Sequence, residues 1–147
     1  MRISTKGRYG TRAMLALADN YNHGLLAAKQ IAAETKISLK YLESLLSTLK
    51  AARLVHSVRG PRGGYALSRP PHQISLHDVL APLEDALDIV HCTEDGDHCR
   101  RNEVCCTQEV WKQIKETVEC ILCDITLADL AQRQQVLDAR RKRRAES

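Results

Sequence analysis

The chain contains no phenylalanine, and aromatic residues make up only 3% of it. A platform that stacks successive bases of a single strand needs several aromatic rings, so the composition argues against that mode of nucleic-acid binding. No stretch approaches the ~20 apolar residues of a membrane span. The longest early apolar run, Ala13 to Ala18, is too short and too weakly apolar for a signal peptide, and the expected location is the cytoplasm. No phosphate-binding P-loop is present, no G-x-G-x-x-G follows a strand and no hydrolytic motif appears, so nothing marks the chain as an enzyme. What remains is a chain of 147 residues, 44% hydrophobic, enough for one cored domain with an extension. Its net charge of +4 is concentrated in one hairpin and the tail, which favours an anionic partner.

The stretch Ile37 to Leu67 is the most informative. Leu42, Leu45, Leu46 and Leu49 share one face of a helix at ~100° per residue, with Ser38 placed to cap its first turn. Lys40, Glu43, Ser44 and Ser47 fall on the opposite face and Tyr41 on its flank. That small polar surface suits insertion into a DNA major groove, as well as plain solvent exposure. The alternation Leu54, His56, Val58 turns at Arg59-Gly60-Pro61-Arg62-Gly63-Gly64 and returns as Tyr65 and Leu67. Two arginines, Arg59 and Arg62, on a glycine turn suit a wing that reaches a phosphate backbone or minor groove.

Before this stretch, Met1 to Tyr21 reads as a first helix, with Lys6, Arg8 and Arg12 as solvated or phosphate-facing cations. Ala27 to Glu34 reads as a second helix, and Thr35-Lys36-Ile37 is a connection of helix-turn-helix length. Arg69-Pro70-Pro71 stops the second strand. After it, Ser75 and Asp78 have capping-box spacing for a helix to about Ala86, which Pro82 kinks or shortens. In the helix Val110 to Ile125, the residues Trp111, Ile114, Val118, Ile121 and Ile125 repeat at 3, 4, 3, 4, a heptad seam suited to packing on the chain's own winged domain or, the favoured reading, to pairing with a second copy. Thr126 and Asp129 open a short last helix. Arg140-Arg141-Lys142-Arg143-Arg144 is expected to be disordered, either solvated or adding non-specific DNA affinity.

The expected architecture is therefore mainly α: a winged helix-turn-helix over residues 1–72 with a small β-hairpin wing, and a long C-terminal dimerisation helix. A connecting helix and cysteine-rich loop occupy 73–106. The dimerisation helix and short terminal helix take 107–133, and a basic tail 134–147.

Six cysteines in a reducing compartment point to ligands or redox groups rather than disulfides. Cys92, Cys99 and Cys105 are spaced C-x6-C-x5-C, with Cys106 directly after, in a polar loop that burial cannot order. Three converging thiolates suit an iron–sulphur cluster or zinc. The loop lacks the paired C-x2-C turns of structural zinc sites, which favours the cluster. Cys120 and Cys123 share a helix face; C-x2-C suits a redox or metal pair, but the strand-to-helix context is missing and they are expected to be ordinary packing residues.

In order along the chain, MRISTKGRYGTRAMLAL, ISLKYLESLL, VRGPRGGYAL, the loop cysteines, the Trp-bearing helix and ITLADL resemble the IscR-type (Rrf family) winged-helix transcriptional regulators over nearly the whole length. The resemblance implies a homodimer on a palindromic double-stranded operator, with an iron–sulphur cluster in each subunit controlling which DNA is bound. It assigns Tyr41, Glu43, Ser44, Arg59 and Gly60 to DNA contact. Lys40, Ser44 and Arg62 differ from that regulator, Arg62 adding charge at the wing tip. It assigns Cys92, Cys99 and Cys105 to the cluster, 2Fe-2S in preference to 4Fe-4S. Where that regulator has a histidine as fourth ligand, this chain has Gln108. Cys106, Glu109, His91 or His98 could substitute, or the position stays open. Where some relatives carry an acidic ligand near the first helix, this chain has Arg8. Two other readings stay open: a zinc or thiol-switch DNA-binding regulator, and a small redox or electron-carrier protein.

Overall fold

In the computed structural model, which describes residues 3–84 and 105–145, helix α1 spans Thr5–Asp19. Ser4 caps it: its Oγ accepts from the Gly7 amide at 3.1 Å. The Ser4 amide and hydroxyl both donate to Glu84 Oε1 at 3.0 Å, tying the start of α1 to the connecting segment that follows the wing. Gly7 and Gly10 lie at this contact. A Cβ on Gly7 would meet the Glu84 carboxylate, and one on Gly10 the Leu83 side chain, so α1 approaches residues 80–84 as closely as only glycine permits.

Helix α2, Ala28–Thr35, ends at Lys36, whose φ of 56° closes the turn in the left-handed region. Ile37 is buried in the turn, and α3 follows over Leu39–Ala51. Its inward residues are those that the leucine spacing marks: Leu42, Leu46 and Leu49 at 0% exposure and Leu45 at 3%. Each such burial contributes roughly 1.5–3 kcal/mol before entropy is counted. They meet Ala13, Met14 and Leu17 of α1 and Ile31 of α2 in one cluster. Ser38 occupies the N-cap position, but its side chain makes no capping bond. Its carbonyl accepts from Leu42 at 2.9 Å instead.

The wing is a two-stranded antiparallel sheet, β1 Val55–Val58 on β2 Gly64–Leu67, with Val55 opposite Leu67 and Val58 opposite Gly64. Its inward pair is Val55 and Leu67, whereas His56 and Val58 face solvent. The phase differs from the Leu54-His56-Val58 alternation because Arg53, at φ 59°, turns the chain just before the strand and leaves Leu54 and Val55 both inside. Leu26 adds a bridge to Tyr65, with amide–carbonyl distances of 2.9 Å in both directions, so the wing is fastened to the residues that lead into α2.

Helix α4 is short, Leu76–Leu80, with the expected Ser75–Asp78 capping box, and stops two residues before Pro82. The expected extension to Ala86 is not followed: α4 ends at Leu80, and 85–86 lie outside the described residues. Helix α5 spans Cys106–Asp124 and α6 Leu127–Ala145. Their junction is clamped on the winged domain. Leu76 donates to the Ile125 carbonyl at 2.7 Å, Leu127 donates to Ile74 at 2.9 Å, and Leu127 is fully buried. Thr126 and Asp129 cap α6 as expected. That helix is not short, however. It has 19 residues and takes up the basic run, so the segment expected to be disordered is helical as far as Ala145. Good helix formers without glycine or proline account for this.

Candidate nucleic-acid interface and cysteine segment

On α3 the side opposite the leucines presents Lys40, Glu43 and Ser44, all exposed. Tyr41 on the flank is half-buried. Its ring meets Tyr9 of α1 edge-to-face, with centroids 6.1 Å apart and planes at 78°. The Arg12 guanidinium lies 5.4 Å from the Tyr9 ring centre. An Arg12–Tyr9–Tyr41 stack therefore links an α1 cation to the α3 surface. Nothing in the local sequence pattern marks Tyr9 as part of this surface. Its spacing from Arg12, one helical turn, was visible, but its contact with Tyr41 is tertiary.

The wing tip carries Arg59, Gly60 and Arg62, all exposed. Gly60 has φ +120°, a conformation reserved for glycine, and its carbonyl accepts from Gly63 at 2.9 Å. Lys50, in the last turn of α3, donates from Nζ to Ser57 Oγ at 2.6 Å and so couples the helix to β1. Lys40 on α3, Arg59 and Arg62 on the wing and Arg12 on α1 are thus exposed cations, and α3 adds the carboxylate of Glu43. This combination can contact phosphates and polar base edges.

Of the three cysteines assigned to a metal centre, Cys105 is described; Cys92 and Cys99, with His91 and His98, lie outside the described residues. Cys105 is half-buried at the N-cap of α5, its Sγ 3.2 Å from Thr107 Oγ1, and its carbonyl accepts from the Gln108 amide at 3.1 Å. The start of a helix carries partial positive charge, which suits an anionic sulphur ligand. A donor set of cysteines ending at this position fits an iron–sulphur cluster in its chemistry. Among the described residues alone, no group of three or more His, Cys, Asp or Glu is placed to hold a metal. Cys120 and Cys123 are exposed, so they do not pack within the chain as expected; the buried position of that turn is Leu122.

The α5 seam points outward. Trp111 is 36%, Ile114 39% and Ile121 53% exposed, with Val110 beside them at 50%. Leu122, buried on the flank of this seam, and the Ile125 carbonyl, which accepts from Leu76, lie on the side by which α5 packs on α4. No helix among the described residues is long and apolar enough to cross a membrane.

A helix-turn-helix, a wing with two arginines and a protruding helix define a winged-helix transcriptional regulator. The chain belongs to the Rrf2 family, described as an iron-dependent transcriptional regulator, which matches residues 3–133. It is 41% identical over 138 residues to the HTH-type transcriptional regulator ORF2 of Azotobacter vinelandii, covering 94% of this chain and 84% of that one. Among solved structures it is similar to CymR, the global cysteine regulator of B. subtilis, at 39% identity and a TM-score of 0.75, over 90% of this chain and 97% of that one. It is likewise similar to T. potens IscR, at 36% identity and a TM-score of 0.73, over 91% and 88%. The family and these relatives are transcriptional regulators, not enzymes.

Proposed function

We propose that this regulator is a cytoplasmic homodimer that reads a palindromic operator through α3 and the wing and senses iron, cluster supply or oxidative or nitrosative stress through an iron–sulphur cluster. In this reading Lys40, Tyr41, Glu43 and Ser44 face the major groove, while Arg59, Gly60 and Arg62 reach the backbone or the adjacent minor groove. Cys92, Cys99 and Cys105 would hold the cluster, 2Fe-2S in preference to 4Fe-4S. When bound, such a cluster supplies a redox- and iron-sensitive cross-link between thiolates. The observation that carries the reading is the position of Cys105: it directly precedes the first residue of α5, the helix whose apolar seam is exposed. Whatever fixes Cys105 fixes the first turn of α5. Through the Ile125–Leu76 bond and its packing on α4, which itself packs on α1, α5 is joined to the winged domain. Pairing of the Trp111, Ile114, Val118 and Ile121 stripe with a second copy would set the spacing of two reading heads.

The test is anaerobic purification of Cys92→Ala, Cys99→Ala and Cys105→Ala variants. Each is expected to lose the visible absorption of the native protein. Retained colour in all three would remove these residues from the ligand set.

A second reading, a thiol-switch regulator without a cluster, is favoured by the similarity to CymR and by the exposed thiols of Cys106, Cys120 and Cys123. Iron and acid-labile sulphide analysis separates the two. The electron-carrier reading leaves the helix-turn-helix and wing without a purpose and is set aside.

A further inference from the structure

We propose that the last two turns of α6, Arg140 to Arg144, form a helical arm that follows the phosphate backbone beside the half-site read by α3. The proposal rests on the assignment of α3 and the wing to DNA. Helix α6 crosses α1 and passes the turn that leads into α3. At this crossing Gln134 and Asp138 of α6, Arg12 and Asp19 of α1, and Lys36 of the turn line a groove of about 500 Å³. The helix then continues to Ala145, and every residue from 135 to 145 is exposed. At 1.5 Å per residue, residues 139–145 carry it roughly 10 Å beyond this joint. The arm thus leaves the body at the turn that delivers the recognition helix.

Its charge pattern does not suit packing on a protein core. At ~100° per residue, five successive cations point all around the helix axis. Arg140 and Arg144, four residues apart, repel each other on one face. The negative end of the helix dipole offsets part of this repulsion, and a line of phosphates would offset much more. Leu137, Arg140, Arg141, Arg143 and Arg144 border a second, open groove of about 600 Å³. Guanidinium groups so arranged can clasp phosphate oxygens in pairs. At the joint itself Asp19, Glu34 and Asp138 gather; partial burial first, and then repulsion from the other two carboxylates, holds the Asp19 carboxyl above its ordinary range. The joint thus mixes these three carboxylates with Arg12 and Lys36, whereas every residue from Arg140 to Arg144 is cationic.

The experiment uses the full chain and two duplexes: one recovered from a random pool by selection with the native protein, and one scrambled. Affinity for both is measured against salt concentration. The native protein is compared with a variant in which Arg140, Arg141, Lys142, Arg143 and Arg144 are all changed to Gln, one in which the four arginines are changed to Lys, and Arg59→Ala. The Gln variant keeps strong helix formers and is checked by circular dichroism. Its salt slope is expected to fall on both duplexes, with the ratio between them unchanged. Removing one phosphate contact lowers the affinity change between 50 and 200 mM salt by about 3.5-fold, so removing three lowers it by about 40-fold. The Lys variant is expected to keep the native slope. A native slope in the Gln variant, while Arg59→Ala lowers it, would overturn the arm and leave the α3–wing interface standing. A native slope and affinity in Arg59→Ala as well would refute both.

Discussion

Replacing Tyr9 with leucine tests whether α1 positions the reading surface of α3. Leucine preserves an apolar side chain against the core but removes the edge-to-face contact with Tyr41, where the ring centres are 6.1 Å apart, and the face on which Arg12 rests. An aromatic pair of this kind is worth about 0.5–1.5 kcal/mol beyond its buried area. If the pair holds Tyr41 in its DNA-binding orientation, that energy appears as a smaller competent fraction before binding. Operator affinity should then fall by about 2- to 12-fold. Tyr9→Phe keeps the ring and is expected to bind as the native protein does. The assay is fluorescence anisotropy on the selected duplex, with a thermal melt of each variant to follow stability separately. A double-mutant cycle with Tyr41→Ala gives the decisive number. Coupling between the two positions should exceed the roughly 0.3–0.5 kcal/mol within which independent sites add. A lowered melting temperature with unchanged affinity, or strictly additive effects, would reduce Tyr9 to a packing residue.

Arg59→Ala should lower the salt slope by about 0.9 for each phosphate that the side chain no longer neutralises, and sequence discrimination should fall with it if the side chain enters a groove; a titration at several salt concentrations reads both. Ile121→Glu puts a charge into the exposed α5 seam and is expected to leave a folded monomer; sedimentation showing an unchanged dimer would dismiss the seam. The Asp129 carboxyl is held below its ordinary range, first by the Thr126 hydroxyl and then by the Thr126 amide. A lowered folded-state value means that the group stabilises the fold above the ordinary carboxylate range, and that this is lost as pH falls toward the lowered value. Asp129→Asn should therefore flatten the acid side of a melting-temperature profile; a profile parallel to that of the native protein would contradict the capping role.

The parts of the fold that local periodicity dictates were legible from the residues alone. Leu42, Leu45, Leu46 and Leu49 lie where a 3.6-residue repeat puts them, and Gly60 sits at the wing position that needs a positive φ. Ser75–Asp78 and Thr126–Asp129 announced their helix starts by cap chemistry. The misplaced features share a different cause. The phase of β1 depends on the left-handed turn at Arg53, which the alternation of side chains does not reveal. The length of α6 was hidden because a charge run has no apolar period, although its lack of glycine and proline permitted a helix. The exposure of Cys120 and Cys123 is set by the rotation of α5, which Leu122 fixes through a tertiary contact. For the same reason the Tyr9–Tyr41 contact could not be read from spacing, and only Cys105 of the three assigned ligands falls within the described residues.

The most direct test of cluster-controlled DNA binding takes one anaerobic preparation of the native protein and measures its absorption and EPR spectra, its iron and sulphide content and its affinity for the selected duplex. The affinity is then measured again after the iron and sulphide are removed. The expected result is stoichiometric iron and sulphide and a selected-duplex affinity that changes on removal, with the protein still folded. Absence of iron and sulphide, or an affinity that does not change when they are stripped away, would contradict it.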